Sequence, residues 1–288
     1  MIHTIISSSQ IRGTGSFISS WNTANTSTGS SASNQIKLPI FSGGTYNFSV
    51  NWGDGSTSNI TAYNQLEVTH TYAVSGVYTI SIKGTLVGWK FNNTEDKLKL
   101  LSIYQWGCLK LANSGNSGYF YGCTNLTLNT VIDVLNLTGV TTLNSLFTNC
   151  TSLTTINRIN EWNVSSITSM NSTFNGCTNF NSPLSNWNTS SNTDFNNFLI
   201  SATSFNQDIS NFSFASVTTA TNFMAGKSAA NYLATYYDNL LIAMASQTFT
   251  TNGWSISFGT IKRTAASTTA RTTLTSSPKN LTITDGGI

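Results

Sequence analysis

The chain is 288 residues long, enough for one to three domains with a buried core. Only 8% of its residues are Asp, Glu, Lys or Arg, against about 25% in ordinary soluble proteins, and Ser, Thr and Asn supply the polarity instead. With 39% apolar residues and a net charge of +3, intrinsic disorder is excluded. Nucleic acid is excluded as a partner too, because residues 111–226 hold only Arg158 against Asp133, Glu161, Asp194 and Asp208.

No apolar run approaches the roughly 18 residues that membrane insertion requires. The opening residues have neither a basic segment nor a long apolar one, so no signal peptide is expected. Sparse charge gives little colloidal repulsion, which suits a protein held in an assembly.

Residues 1–34 are rich in Ser, Thr, Gly and Asn and are expected to form an extended N-terminal arm. Alternating apolar and polar residues then predict strands over 35–41, 46–52, 67–72 and 77–83. Turn signals at Ser42-Gly-Gly and Gly53-Asp54-Gly55 separate them, which is the pattern of a small antiparallel β-sandwich over 35–92. Residues 86–110, with Lys90, Lys97, Lys99 and Lys110, form a junction, and Leu98, Leu100, Leu101 and Ile103 are expected to start the next unit.

Within that unit, expected over 93–226, one pattern returns four times. It reads Phe120-Tyr-Gly-Cys123-Thr-Asn-Leu126, Phe147-Thr-Asn-Cys150-Thr-Ser-Leu153, Phe174-Asn-Gly-Cys177-Thr-Asn-Phe180 and Leu199-Ile-Ser-Ala202-Thr-Ser-Phe205. The intervals are 27, 27 and 25 residues. A fixed period in the twenties means stacked coils that bury their apolar faces only against one another. A second anchor, Leu135, Trp162, Trp187 or Phe212, precedes the following Phe or Leu by 11 or 12 residues. Beyond Gly226 the repeat fades. Helices are predicted over 229–247 and 265–274 and a strand over 280–284, giving a partly helical cap over 227–288 that covers the last coil.

Cys123, Cys150 and Cys177 admit three readings: a metal site, a disulfide set or a stacked core ladder. Zinc expects paired Cys-x-x-Cys ligands and histidine, which are missing, and equivalent side chains in stacked coils point the same way, which suits disulfide torsions poorly. The ladder of reduced, buried thiols is therefore expected. Asp54 between two glycines reads as a turn residue bonded to its own backbone rather than a calcium ligand, since no second acid lies near. His70 reads as a structural strand residue. Asp133 and Glu161, about one period apart, are the nearest thing to a hydrolytic carboxylate pair, but no supporting motif accompanies them.

Exposed aromatics are the more plausible means of recognition, drawn from Trp162, Trp187, Tyr104, Trp106, Tyr119 and Tyr121. The repeat phase makes Trp162 and Trp187 core anchors. Tyr119 and Tyr121 flank an inward Phe120, and alternation turns them outward as the candidates for ligand contact, with solvated or interdomain packing as the alternative reading. Asn163 and Asn188 share a phase and are expected to form an amide ladder.

Two family resemblances attach to these residues. Residues 46–83 resemble a polycystic-kidney-disease (PKD) type sandwich through Val50-Asn-Trp52-Gly-Asp54-Gly55, then His70-Thr-Tyr72 and Gly76-Val-Tyr78. Residues 119–226 resemble BspA-type leucine-rich repeats through the Phe-x-x-Cys-x-x-Leu and Trp-Asn-Thr/Val-Ser segments. Ala202 in place of Cys and Phe212 in place of Trp depart from that pattern. The order of arm, sandwich, repeats and Thr-Asp-Gly-Gly tail looks like that of proteins of tailed phages of aquatic bacteria.

The resemblance implies a mainly β protein: a PKD-like sandwich, a short leucine-rich-repeat-like solenoid and a partly helical cap. It implies no enzyme and no cofactor. The expected function is that of a virion surface protein, as capsid decoration, fibre or tail adhesin. Such a protein docks through its N-terminal region onto other virion proteins or copies of itself, and presents the solenoid to a host-surface glycan or protein. A bacterial cell-surface adhesin and a self-assembling filament protein are the alternatives.

Overall fold

The structure is a computed structural model that describes residues 15–112 and 118–288. It is mainly β, with antiparallel pairing in its larger sheet and few helices. The strands of the N-terminal half are β1 (Phe17–Asn22), β2 (Gln35–Lys37), β3 (Thr45–Asn51), β4 (Thr57–Ile60), β5 (Thr69–Thr71), β6 (Val77–Val87), β7 (Leu100–Gln105) and β8 (Leu109–Lys110). Six of them form one sheet in the order β4-β3-β6-β1-β7, with β8 beside the end of β6, while β2 and β5 pair antiparallel as a separate ribbon. In β3 the alternation is complete: Tyr46, Phe48 and Val50 are buried and Thr45, Asn47, Ser49 and Asn51 are exposed, so one face of the pleat carries the core.

The expected arm over 1–34 requires correction from residue 17 onward. β1 lies inside the sheet, antiparallel to both β6 and β7. Its Phe17 and Trp21 are fully buried and pack edge-on against Trp89 at 5.0 and 6.1 Å. The polar flanks hid a strand whose own serines, Ser19 and Ser20, are also buried; Ser19 Oγ accepts a hydrogen bond from Trp21 Nε1 at 2.9 Å. The first 14 residues of that arm lie outside the described residues.

From residue 91 the chain lies in successive turns bonded through their backbones. Phe91 N–H donates to Tyr119 O, Phe120 to Leu146, Phe147 to Thr173, Phe174 to Phe198 and Leu199 to Phe223, at 2.8–3.1 Å. Elsewhere on each turn, Thr168 N–H donates to Thr141 O, Thr193 to Thr168 and Thr218 to Thr193 at 2.8–2.9 Å. Single parallel bridges run Thr142–Ser169–Asp194–Thr219. Parallel neighbours need a long connection, and here each connection is one repeat.

The sheet and the repeats share one core. β7 pairs with β1, and its Ser102 bridges in parallel to Thr127 of the following turn. The buried apolar cluster runs without a break from Phe17 to Ile283. The bonding also continues past Gly226, where the sequence pattern fades: Met224 N–H donates to Ser257 O, Thr260 to Lys227 and Phe258 to Thr284. Strands β9 (Ser255–Ser257) and β10 (Thr282–Thr284) are parallel and stack on that end.

Helix α1 (Ala234–Ser246) starts later than the predicted 229. It buries Tyr237, Leu240, Leu241 and Met244, while Leu233 before it is 48% exposed. Helix α2 (Thr268–Thr275) follows a 3-10 turn and is tied to α1 by Asp238, whose carboxylate accepts from Thr264 N, Thr264 Oγ1 and Ser267 Oγ.

Candidate functional site

Every residue expected in the repeat core is buried. Phe120, Phe147 and Phe174 stack in sequence at 5.6 and 5.9 Å, Phe180 lies on Phe174 at 4.2 Å and Phe205 on Phe180 at 5.8 Å. Trp162 and Trp187 stack at 6.3 Å. Leu126 and Leu153 have no exposed surface. The thiols of Cys123, Cys150 and Cys177 are free and buried. Cys150 Sγ donates to Phe120 O at 3.1 Å and Cys177 Sγ to Phe147 O at 2.9 Å, each reaching the turn before its own. Burial pushes all three thiols well above their ordinary value, so they are inert groups of a dry interior. No cluster of three or more His, Cys, Asp or Glu side chains forms among the described residues.

The sequence did not point to Lys227, which occupies the next rung. Its place is 25 residues after Ala202, where earlier turns have cysteine. Its side chain is buried and its Nζ donates to the carbonyls of Ala202, Thr203, Phe205 and Asn231. Burial pulls the ammonium down to about 8.

Two positions per turn adopt left-handed backbone. One column runs Asn93, Gly122, Asn149, Gly176, Ser201, Gly226, so glycine alternates with a side chain. A Cβ on Gly176 would lie 2.2 Å from Asn149 Oδ1, and one on Gly122 would lie 2.3 Å from Asn93 Oδ1. At these two positions an added Cβ would collide with the asparagine of the turn before, whereas one on Gly226 would lie 3.4 Å from Ser201.

In the sheet region the Trp52, Asp54, His70, Tyr72 and Tyr78 motif closes on itself. His70 stacks on Trp52 at 4.8 Å, and Tyr72 stacks on Tyr78 at 3.8 Å while donating its hydroxyl to Trp52 O. Asp54 Oδ1 accepts from Ser56 N at 2.9 Å, and Oδ2 lies 2.7 Å from His70 Nε2. Burial raises the Asp54 carboxyl, but the hydrogen bonds from Ser56 and His70 outweigh it and hold the group at about 2. The polar ends of Asp54, His70 and Tyr72 serve the turn between β3 and β4, while Tyr78 donates its hydroxyl to Val74 O at 2.7 Å.

Three expectations about surface residues are corrected. Tyr119 is not a ligand contact: it is fully buried, its hydroxyl donates to Ala112 O at 2.7 Å, and burial pushes the phenol up to about 12. Alternation does not apply there because residues 119–122 form a tight turn rather than a strand. Tyr121 is half-buried, Trp106 is buried beside Phe120 and Trp162, and Tyr104 keeps 37% of its surface exposed. Asn163 and Asn188 form no amide ladder. Each turns its Oδ1 to the backbone N–H two residues on, Ser165 and Ser190, because an Asx turn satisfies the side chain locally.

The acids are held by structural partners. Asp133 is buried and accepts from Trp106 N and Gly107 N at 2.7 and 2.8 Å, while Glu161 is exposed and bidentate with Arg158 at 2.7 and 2.8 Å. Asp208 accepts from Asn239 Nδ2 and Ser210 N. A concavity lies beside Glu161, lined by Val134, Asn136, Thr138, Glu161, Asn163 and Ser166.

Residues 116–237 match a family model described as Mycoplasma protein of unknown function, DUF285. No curated protein matches the chain, and no solved structure does.

Proposed function

We propose that this is a non-enzymatic surface-recognition protein, in which a PKD-like sandwich carries a BspA-type, leucine-rich-repeat-like solenoid with a partly helical cap. The observation that carries the proposal is the division of labour within each turn. Aromatic, thiol and aliphatic groups point inward, the backbone bonds turn to turn, and most Ser, Thr and Asn side chains keep some exposure, with Thr148, Ser172, Thr173, Ser182, Thr189 and Asn192 as buried exceptions. Such a stack is a rigid, extended and sparsely charged platform, suited to weak contacts multiplied over many copies. The commitment of Asp133, Glu161 and Asp208 to structural partners supports binding rather than hydrolysis.

The setting that the sequence resemblance suggests is the surface of a phage particle, with a glycan or protein of the host as ligand. A bacterial cell-surface adhesin is the second reading, favoured by the match of residues 116–237 to a family described from Mycoplasma. Fluorescently labelled protein should bind intact bacteria saturably and release no reducing sugar from their polysaccharide. Absence of saturable binding contradicts recognition, and sustained sugar release contradicts the non-enzymatic assignment.

A further inference from the structure

Repeat proteins recognise ligands where their repeats differ, because insertions emerge together on one face. Here the difference is a matter of two residues. Leu126 to Leu135 and Leu153 to Trp162 span nine positions, whereas Phe180 to Trp187 and Phe205 to Phe212 span seven. The two longer turns are neighbours, so their extra residues lie side by side. In the second of them Arg158 adopts a left-handed backbone, with φ of 62°, and Ile159–Glu161 makes a 3-10 turn. Arg158 then reaches across to the first: Nη1 donates to Ile132 O at 3.0 Å while Nε and Nη2 grip Glu161. The result is a fixed ridge that carries Ile132 with 64% of its surface exposed.

The concavity described above borders this ridge through Val134 and Glu161, and its polar groups are pre-positioned but incompletely used. Asn136 Oδ1 accepts from Thr138 N at 3.0 Å and Asn163 Oδ1 from Ser165 N at 3.2 Å. These bonds orient both side chains, yet neither Nδ2 has a partner among the described residues. Ser166 is exposed, and the charge of Glu161 is balanced by Arg158, while its carboxylate oxygens retain lone pairs. Amide donors, hydroxyls and a neutralised carboxylate beside the half-buried Val134 suit a ligand that mixes donors, acceptors and C–H faces without net charge.

Building on the recognition function proposed above, we propose that the two long turns form a binding site for a neutral, polyhydroxylated saccharide, with Asn136 and Asn163 as its amide donors. Rigid orientation of both groups before binding reduces the ordering cost that weak sugar contacts must overcome.

The test uses the whole protein on an immobilised array of neutral glucans, galactans and mannans together with uronate and sulfated oligosaccharides. Asn163→Asp and Asn136→Asp keep the Oδ1 that holds each Asx turn and remove the amide donor. Each should weaken binding to a neutral sugar by about tenfold. Asn188→Asp is the control, because Asn188 makes the same turn with Ser190 in a shorter repeat outside the concavity; it should leave binding unchanged. Capture of acidic sugars alone overturns the proposal. So does neutral-sugar binding that Asn163→Asp and Asn136→Asp leave intact, although the general recognition function then survives. Saturable binding to cells with no binding to the array also overturns it, and points to a protein ligand. No binding to either removes the recognition function as well.

Discussion

The sheet and the repeat stack reach the same dryness by opposite routes. In the sheet, β3 carries a complete alternation of its own, and its antiparallel pairing with β4 is set by the short turn at residues 53–55. In the stack, no turn has more than isolated bridges of regular pairing, and every inward group is covered by the turns before and after. Order in the sheet is therefore local, and order in the stack belongs to the period. Damage to one rung should reach two neighbours.

The harshest way to break the stack is to place a charge on the thiol column. Cys150→Asp would bury a carboxylate against Phe120 O with no donor nearby, and it should abolish cooperative folding, a loss above about 4 kcal/mol. Cys150→Ala keeps the space apolar and should cost only about 1–2 kcal/mol. Thermal melting by circular dichroism separates the two, and equal, negligible effects would remove this residue from the core.

Next comes the end of the column. Lys227→Met leaves the carbonyls of Ala202, Thr203, Phe205 and Asn231 without their shared donor and should cost roughly 3 kcal/mol. The pH dependence has a definite sign. The folded protein releases this proton near pH 8, whereas the unfolded lysine holds it to about 10.4. Between those values the unfolded chain binds more protons, so Lys227 makes stability rise with pH across that window. Lys227→Met should lack that contribution, visible as a difference between the urea midpoints of the two proteins at pH 7 and pH 10.

A smaller effect sharpens the claim that adjacent turns share space. Gly176→Ala forces a Cβ onto Asn149 Oδ1 at a φ of +71° and should cost roughly 2–3 kcal/mol. Gly139→Ala, at a φ of +80° with open space around it, should cost only about 1 kcal/mol. Urea titration of both variants measures the excess that belongs to the neighbour.

One substitution should strengthen the stack. Val140, Ile167, Asn192 and Val217 occupy one phase, and Asn192 is fully buried with neither side-chain polar atom bonded. Asn192→Val should stabilise the fold by about 1–2 kcal/mol, read as a raised melting temperature. A lowered one would mean that the amide has a partner that its surroundings do not reveal.

Much of this was legible before any coordinates. The Phe-x-x-Cys-x-x-Leu spacing located the buried column, and alternation located β3 and most of β6. What stayed hidden had physical causes. β1 lacks an apolar stripe because Ser19 and Ser20 are buried with Phe17 and Trp21, so its composition reads as a linker. Tyr119 was turned the wrong way because alternation was applied to a tight turn. Lys227 escaped notice because lysine does not look like cysteine, although both fill one rung and both donate to carbonyls of the preceding turn. Two extra residues in the long turns were visible in the text, but the junction that Arg158 makes with Ile132 O was not.

The most direct test of the stacked, dry interior is native-state alkylation of the four cysteines, followed residue by residue by mass spectrometry. Cys123, Cys150 and Cys177 should resist labelling until global unfolding and then become reactive together, while the half-buried Cys108 reacts first. Rapid labelling of any of the three in the folded protein, or their staggered release at separate denaturant concentrations, would contradict the account.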